Sequence, residues 1–216
     1  MGGIDGNGNV TTEVRNVPQD FTSIEASNGL DVVLEQSETK SVTVEADQNL
    51  QEHITTKVEN GVLIIESDKN IDEAKSKKVT VKLPKIAGIK ASSGSTVTSL
   101  NVLKGSEIKI KSSSGSEIEV SLEVDKIICE ATSGSNITLN GKALSLETTS
   151  SSGSDIETSK LIANDVTSEA SSGSSAKVHP VLSLKAKASS GSSIDYNPVP
   201  RKITKEESSG GSISQK

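Results

Sequence analysis

The sequence predicts an all-β protein, most of it a single-stranded, right-handed, parallel β-helix-like solenoid with about 19–20 residues per coil. Three observations predict this fold. A Ser-Gly motif recurs at a nearly constant spacing, apolar residues keep fixed places on both sides of it, and the intervening segments alternate apolar and polar residues as strands do.

The recurring motif is "ASSGS" at 91–95, with six close variants further along the chain. Successive central glycines are 21, 19, 19, 20, 18 and 19 residues apart, a period typical of a structural repeat. Glycine permits the positive φ that a sharp turn needs, so we interpret the motif as a structural turn ladder. A binding surface, an O-linked sugar site and a metal corner are the alternatives. The ladder glycines are Gly94, Gly115, Gly134, Gly153, Gly173, Gly191 and Gly210.

The third residue after each ladder glycine is apolar, and so is the seventh residue before it. In a β-helix, equivalent residues stack about 4.8 Å apart, so these columns should form interior ladders. We therefore expect Ile137→Asp to abolish folding and Ser135→Ala to be mild. The predicted core ladder is Val97, Ile118, Ile137, Ile156, Ala176, Ile194 and Ile213.

An antiparallel β-meander or sandwich is the alternative fold. It would place the Ser-Gly turns at one end of the strands and turns at 104–106 and 140–142 at the other. A single sheet needs a layer that covers its apolar face. The chain has one Phe, one Tyr, no Trp and no convincing helix for that layer, which favours the solenoid.

The predicted organisation is a disordered or tag-derived start at 1–9 and one β domain at 10–216. Within that domain, 10–85 is a hairpin-rich N-terminal part and 86–216 is the Ser-Gly-Ser repeat ladder. Asn60-Gly61 is a strong hairpin signal, and 49–53 is expected to form a short helical turn. Because 17–34 resembles 83–100, with Gly29 in the place of Gly94, we expect the N-terminal part to continue and cap the ladder.

The last repeat departs from the pattern. Glu207 stands where the other copies have a small residue, and Pro198 and Pro200 precede it. We expect this stretch to cover or fray the second end of the stack.

No set of residues indicates catalysis or metal binding, so we predict no catalytic residues, no metal ligands and no cofactor. His53 and His179 are expected at the surface, and a single Cys129 excludes an internal disulfide and a zinc site. Glu117 and Asp155 share a repeat position, but two coils would separate them by about 10 Å, near or beyond the upper limit for an inverting glycosidase pair.

Composition and charge exclude further classes of partner. The net charge is −6 and no patch combines basic with aromatic residues, so nucleic acid is not an expected partner. No apolar stretch is long enough for a membrane-spanning helix.

The order of motifs also resembles a known family. "F-x-x-I-x-x-S-x-G-x-D-V-x-L-x-Q" at 21–36 is followed by "VTVKLPKIAGIKASSGS" at 79–95 and by the serial Ser-Gly-Ser turns. Across 10–216 the chain is similar to the autotransporter-adhesin head GIN domain family of Bacteroidetes, a domain family of unknown function. The resemblance implies a right-handed β-helix-like fold, export to the cell envelope or cell surface, and an adhesin role. It supplies no site residues.

We therefore predict a non-enzymatic cell-envelope or surface module with an adhesin-like binding or scaffold role. Its ligand would be an unidentified surface protein or glycan, and its export signal is expected to have been removed. Two alternatives stay open: a carbohydrate-active lyase or hydrolase on a β-helix, and an envelope scaffold that self-assembles through the coil ends.

Overall fold

Parallel strands stacked in register form the larger part of the protein. The structure is a computed structural model that describes residues 2–216. It contains one short 3₁₀ helix, Gln48–His53, and otherwise strands and turns. The N-terminal strands are β1 (Ile4–Asp5), β2 (Val10–Arg15), β3 (Ser23–Ala26), β4 (Asp31–Gln36), β5 (Ser41–Asp47), β6 (Ile54–Glu59), β7 (Val62–Ser67), β8 (Ile71–Glu73) and β9 (Lys77–Leu83). The ladder strands are β10 (Gly88–Ala91), β11 (Thr96–Ser99), β12 (Leu103–Ser112), β13 (Glu117–Ala131), β14 (Asn136–Ser150), β15 (Asp155–Ala170), β16 (Ser175–Ala188), β17 (Ser193–Tyr196), β18 (Lys202–Glu207) and β19 (Ser212–Gln215).

Each coil of the ladder consists of a strand that leads into the Ser-Gly turn, a strand that leaves it, and a connecting segment that runs to the next coil. Successive coils pair in parallel, so that Ile118 lies beside Ile137 and Ile137 beside Ile156. The predicted solenoid is confirmed and the meander is excluded, because a meander would pair these strands antiparallel.

The predicted core ladder lies inside the stack. All seven side chains are buried, from fully inaccessible at Val97 to 5% exposed at Ile213. The column seven residues before the glycines is buried through its middle members, whereas its ends, Ala87 and Ile203, are half-buried. Aliphatic and small residues therefore fill the interior, which explains why the chain needs almost no aromatic residues.

The N-terminal part joins the same stack, as the internal similarity predicted. Ser23 of β3 pairs with Gly88, and Val32 of β4 pairs with Val97, so the Asn28-Gly29 turn lies directly beside the Ser-Gly turns. Strands β7 and β9 pair with the other edges of β3 and β4. The chain therefore builds β3–β4 first, adds β7–β9 outside it, and then returns past β3–β4 to begin the ladder at β10.

The coil formed by β3 and β4 has no connecting segment of its own, and the side chain of Gln36 occupies its place. Its Nε2 donates to the carbonyl oxygens of Pro84 (3.1 Å) and Lys104 (2.9 Å), and its Oε1 accepts from the Lys104 N–H (2.8 Å). A side-chain amide thus supplies the donor and acceptor that a strand backbone supplies elsewhere.

Antiparallel strands close the N-terminal end of the stack. β5 pairs with β9, β2 pairs with β5, and β6 forms the predicted Asn60-Gly61 hairpin with β7. The guanidinium of Arg15 donates to the carbonyl oxygens of Gln51 (2.8 Å) and Ile54 (2.6 Å), which ties β2 to the predicted helical turn. This cap covers the outer edges of the parallel strands β7 and β9 with antiparallel partners.

The start of the chain, predicted to be a disordered or tag-derived segment, contains a short strand among the residues described. This strand, β1, pairs with β8, and the Gly8 N–H donates to the buried carboxylate of Asp47 (2.9 Å). The same carboxylate accepts from the N–H groups of Lys75 and Ser76, both at 2.9 Å. Burial raises the pKa of Asp47, but these backbone hydrogen bonds outweigh it and hold the pKa below its ordinary value.

The last coil is ordered like the others rather than frayed. β18 pairs with β16 and β19 pairs with β17, and Gly210 keeps the positive φ of the ladder. Two of its side chains break the interior pattern, however. Lys205 follows Ala186 and Glu207 follows Ala188 in columns that are buried in the preceding coil, and both charged residues are exposed.

The stacked core predicts the effect of a charge at Ile137. Ile137→Asp should destabilise the fold by more than about 4 kcal/mol, because an unpaired carboxylate would enter a fully buried column. Thermal unfolding followed by circular dichroism measures this, with Ile137→Val as the control at about 1 kcal/mol. An unchanged melting temperature for Ile137→Asp would refute the assignment of this column to the core.

Candidate binding surfaces

The turn ladder has the backbone geometry that its glycines predicted. Each ladder glycine has φ between 69° and 82°, and the serine before it has φ between 47° and 55°. In the first copy the N–H of Ser95 donates to the carbonyl oxygen of Ser92 at 3.2 Å. Positive φ at both central residues with this hydrogen bond defines a type I′ turn.

Neighbouring turns are hydrogen-bonded to one another through the ladder glycines. The Gly94 N–H donates to the carbonyl oxygen of Ser114 (3.0 Å), and the Gly115 N–H donates to that of Ser133 (3.1 Å). The same bond recurs from the Gly29 turn to the Gly210 turn, at 2.9–3.1 Å. The turns therefore extend the backbone ladder of the strands around the corner.

The serine that follows each of the first six ladder glycines is buried, whereas Gly210 is followed by Gly211. The Oγ of Ser135 donates to the carbonyl oxygens of Ser112 (2.8 Å) in the preceding coil and Thr132 (2.7 Å) in its own turn. Equivalent bonds link the other coils and fasten each turn to the one before it. The buried serines are Ser95, Ser116, Ser135, Ser154, Ser174 and Ser192.

The exposed part of the turn ladder is a neutral ridge of hydroxyl groups. Its outermost members are the serines before the glycines, such as Ser133 and Ser152. They repeat about every 4.8 Å and carry no charge. The ladder glycines take part in the backbone hydrogen bonds between neighbouring turns. The exposed serine hydroxyls of the ridge can form further hydrogen bonds, but the ridge has no charged or aromatic side chains that would select a ligand.

The acidic and histidine side chains considered for catalysis or metal binding do not lie close to one another. Glu117, Asn136 and Asp155 stack in three successive coils, as expected, so a coil separates the two carboxylates. His53 contacts Asp68 at 2.9 Å in the cap, whereas His179 contacts a backbone oxygen of the ladder. Within residues 2–216, no group of three or more His, Cys, Asp or Glu side chains is arranged to hold a metal ion.

Cys129 is a core residue. It pairs with Ile110 in a buried column, and burial raises the pKa of its thiol to about 12. A thiol with that pKa is protonated at neutral pH and is neither a nucleophile nor a metal ligand.

The outward faces carry several depressions that the sequence did not reveal, among them two with largely apolar walls. One, of about 320 Å³, surrounds Gly88 on the strands that lead into the turns. The other, of about 420 Å³, lies on the connecting segments between Val124 and Ile162. Exposed Leu144 and Ile162 border this second depression. Both depressions are lined by outward-pointing side chains at equivalent positions of successive coils. Which of these side chains are neighbours is known only once the register of the coils is known.

The fold and these surfaces define a repeat-built β-solenoid whose outer faces are available for binding. Among the described residues, no helix is long and apolar enough to cross a membrane. The family model described as "Putative auto-transporter adhesin, head GIN domain" matches residues 20–200. The chain belongs to this family, which confirms the resemblance seen in its motifs.

Solved structures share the fold across the whole chain. A "putative adhesin" from Bacteroides fragilis is 21% identical with a TM-score of 0.92, covering 99% of this chain and 100% of that chain. A "putative adhesin" from Parabacteroides merdae is 22% identical (TM-score 0.78; 99% and 98%). A "Putative lipid binding protein" from Parabacteroides distasonis is 19% identical (TM-score 0.78; 99% and 99%). At these identities the likeness concerns the fold alone. No curated protein matches the chain.

The two serines that flank Gly134 should respond differently to alanine. Ser135→Ala removes a buried hydroxyl with two acceptors and should cost about 1 kcal/mol of unfolding free energy. Ser133→Ala, at the exposed ridge, is the control and should change stability by less than about 0.5 kcal/mol. Urea unfolding of both variants tests the difference. Equal losses would show that the buried hydroxyl does not fasten the turns.

Proposed function

We propose that the protein is a non-enzymatic, adhesin-like binding module that is exported to the cell envelope or cell surface. The observation that carries the proposal is the shape of the stack: a continuous hydrogen-bonded solenoid, whose seven ladder turns alone span about 30 Å, with long polar outer faces. Such a rod holds outward side chains in fixed rows and suits recognition over an extended surface. Membership of a family with an adhesin description supports the same role.

The alternative of a β-helix lyase or hydrolase has no support from the side chains that would perform it. Glycosidases place two carboxyl groups on either side of the scissile bond, about 5–5.5 Å apart in retaining enzymes and about 6.5–9.5 Å apart in inverting ones. Glu117 and Asp155 lie on one face, two coils apart, and Asn136 stands between them. Asp155 is hydrogen-bonded to Ser175 in the next coil. The carboxylates of Glu117 and Asp155 therefore lie in one row on the same outward face and do not oppose each other across a bound sugar.

Binding without turnover is the direct test of the proposal. The purified chain should bind saturably to at least one class of surface ligand on an array of glycans and envelope proteins. The same preparation should release no reducing sugar and no unsaturated product from acidic polysaccharides. Product release at a rate above that of a heat-denatured sample would overturn the non-enzymatic role.

Localisation is tested on the natural full-length polypeptide in its own cells. Antibodies against the solenoid should label intact cells, and external protease should remove the label. Labelling that appears only after the cells are lysed would contradict export to the surface.

Self-assembly through the coil ends is disfavoured by the charges of the last coil. Lys205 and Glu207 occupy columns that are interior in the coil before, and an added coil would bury both charges. Inward-pointing charged residues on an edge strand are a common device against strand addition.

The double change Lys205→Ile and Glu207→Ala should therefore promote self-association. Sedimentation velocity over a range of protein concentrations measures this, and the unchanged protein should stay at one sedimentation coefficient. The control is Lys202→Ala, which removes an exposed charge from the same strand outside these two columns. Concentration-dependent assembly of the unchanged protein would instead support the scaffold alternative.

A further inference from the structure

The depression around Gly88 lies near the capped end of the solenoid. It belongs to an outward column, which is a row of outward-pointing residues at equivalent positions of successive coils. In this column Ser23, Gly88, Lys109 and Ile128 are neighbours in successive coils. Gly88 contributes no side chain, so the surface sinks between Ser23 and Lys109. The resulting depression of about 320 Å³ is large enough for one or two sugar rings.

The walls of the depression are rich in carbon. Val62 and Ile128 are half-buried at its two sides, and the side-chain stems of Lys90 and Lys111 border it. Lysine stems contribute methylene groups to a surface while their ammonium groups remain in water. A carbon surface with charged groups at its rim fits a ligand that has a flat C–H face and ionised substituents.

The rim of the depression holds two ion pairs. The Nζ of Lys90 lies 3.7 Å from the carboxylate of Glu25, and that of Lys111 lies 3.9 Å from the carboxylate of Glu130. These pairs are exposed and contribute little to stability. Within each pair, however, the positive charge of the lysine and the negative charge of the glutamate cancel each other.

Lys109 differs from the other two lysines. Within residues 2–216 it makes no ion pair, and its neighbours in the column, Gly88 and Ile128, are uncharged. Three lysines and two glutamates therefore give this rim a local charge of 3 − 2 = +1, on a chain whose net charge is −6. The unpaired ammonium stands at the edge of a carbon-lined depression, where an anionic group can approach it.

We propose that this depression binds an acidic saccharide, one that carries a carboxylate or a sulfate. The anionic group pairs with the ammonium of Lys109, and the C–H face of the sugar ring rests against Ile128 and the lysine stems. This inference rests on the proposed binding function and names the ligand class and the place where it binds. Because a single exposed ion pair carries the charge recognition, affinity is weak and falls as salt is added.

Titration by NMR with three probes tests the site. The probes are a galacturonate oligosaccharide, a sulfated uronate disaccharide and a neutral galactose oligosaccharide. Both acidic probes should shift the amide signals of Gly88, Lys109 and Ile128, and the neutral probe should shift them several-fold less at the same concentration. Lys109→Ala should weaken acidic binding about threefold to fivefold, and Lys109→Glu by more than about tenfold.

Lys185→Ala is the matched control. Lys185 lies in the same outward column as Lys109, with Thr167 as its neighbour in the preceding coil and no glycine depression beside it. This variant removes the same charge from the same strand position four coils away. It should leave the affinity for the acidic probes unchanged.

A second variant fills the depression without removing a charge. A Cβ at position 88 would lie 2.7 Å from the Ser23 Oγ and 3.2 Å from the Ser23 Cβ. Gly88→Val is therefore combined with Ser23→Ala, which removes the shorter contact and leaves the longer one to be relieved by a small shift of β3. The double variant should fold, as judged by its circular dichroism, and should lose binding at least as strongly as Lys109→Ala. This separates the shape of the site from its charge.

The possible results distinguish a failure of this proposed site from a failure of the proposed binding function. Equal losses in the Lys109→Ala and Lys185→Ala variants, or undiminished binding after the depression is filled, would overturn this site while the binding role stands. Binding of neutral glycans or of proteins alone would overturn the ligand class. Only the absence of every surface ligand on the array, or turnover of a polysaccharide, would remove the function on which the site rests.

Discussion

The hydrogen bond between neighbouring turns is the interaction on which the rest of the solenoid depends. The apolar pattern alone would still allow a strand to slip by two residues, because such a slip keeps the apolar side chains on the inner face. The glycine N–H of each turn bonds to the serine carbonyl of the next turn, at one point in each coil. This bond sets equivalent residues beside one another, and the buried serine hydroxyl repeats the constraint from the opposite direction.

Once the register is set, the interior and exterior positions of the solenoid differ in the side chains that they accept. The interior columns accept only apolar or small side chains, because each residue contacts its counterparts above and below. The outward columns have no such restriction, and they vary from Lys109 to Ile128 to Glu147 at one position. Recognition is therefore carried by outward residues that the fold positions but does not specify.

The two ends of the stack prevent the pairing of further strands in different ways. The N-terminal end is closed by antiparallel strands, which are held in place by Arg15 and the carboxylate of Asp47. The last described coil keeps its parallel strands and instead places Lys205 and Glu207 in the interior columns. Structural closure at one end and charge at the other both make further strand pairing unfavourable.

The sequence by itself determined the repeat, the turn ladder, the core columns and the position of Gly29 in the same stack, because a period of about 20 residues leaves a local signature. Only the tertiary structure decided that β7–β9 lies outside β3–β4, that the Gly8 N–H bonds to the carboxylate of Asp47, and that Ser135 is buried. It alone placed Gly88, Lys109 and Ile128 around one depression. These features depend on single contacts between residues far apart in the chain, and such contacts leave no periodic signal.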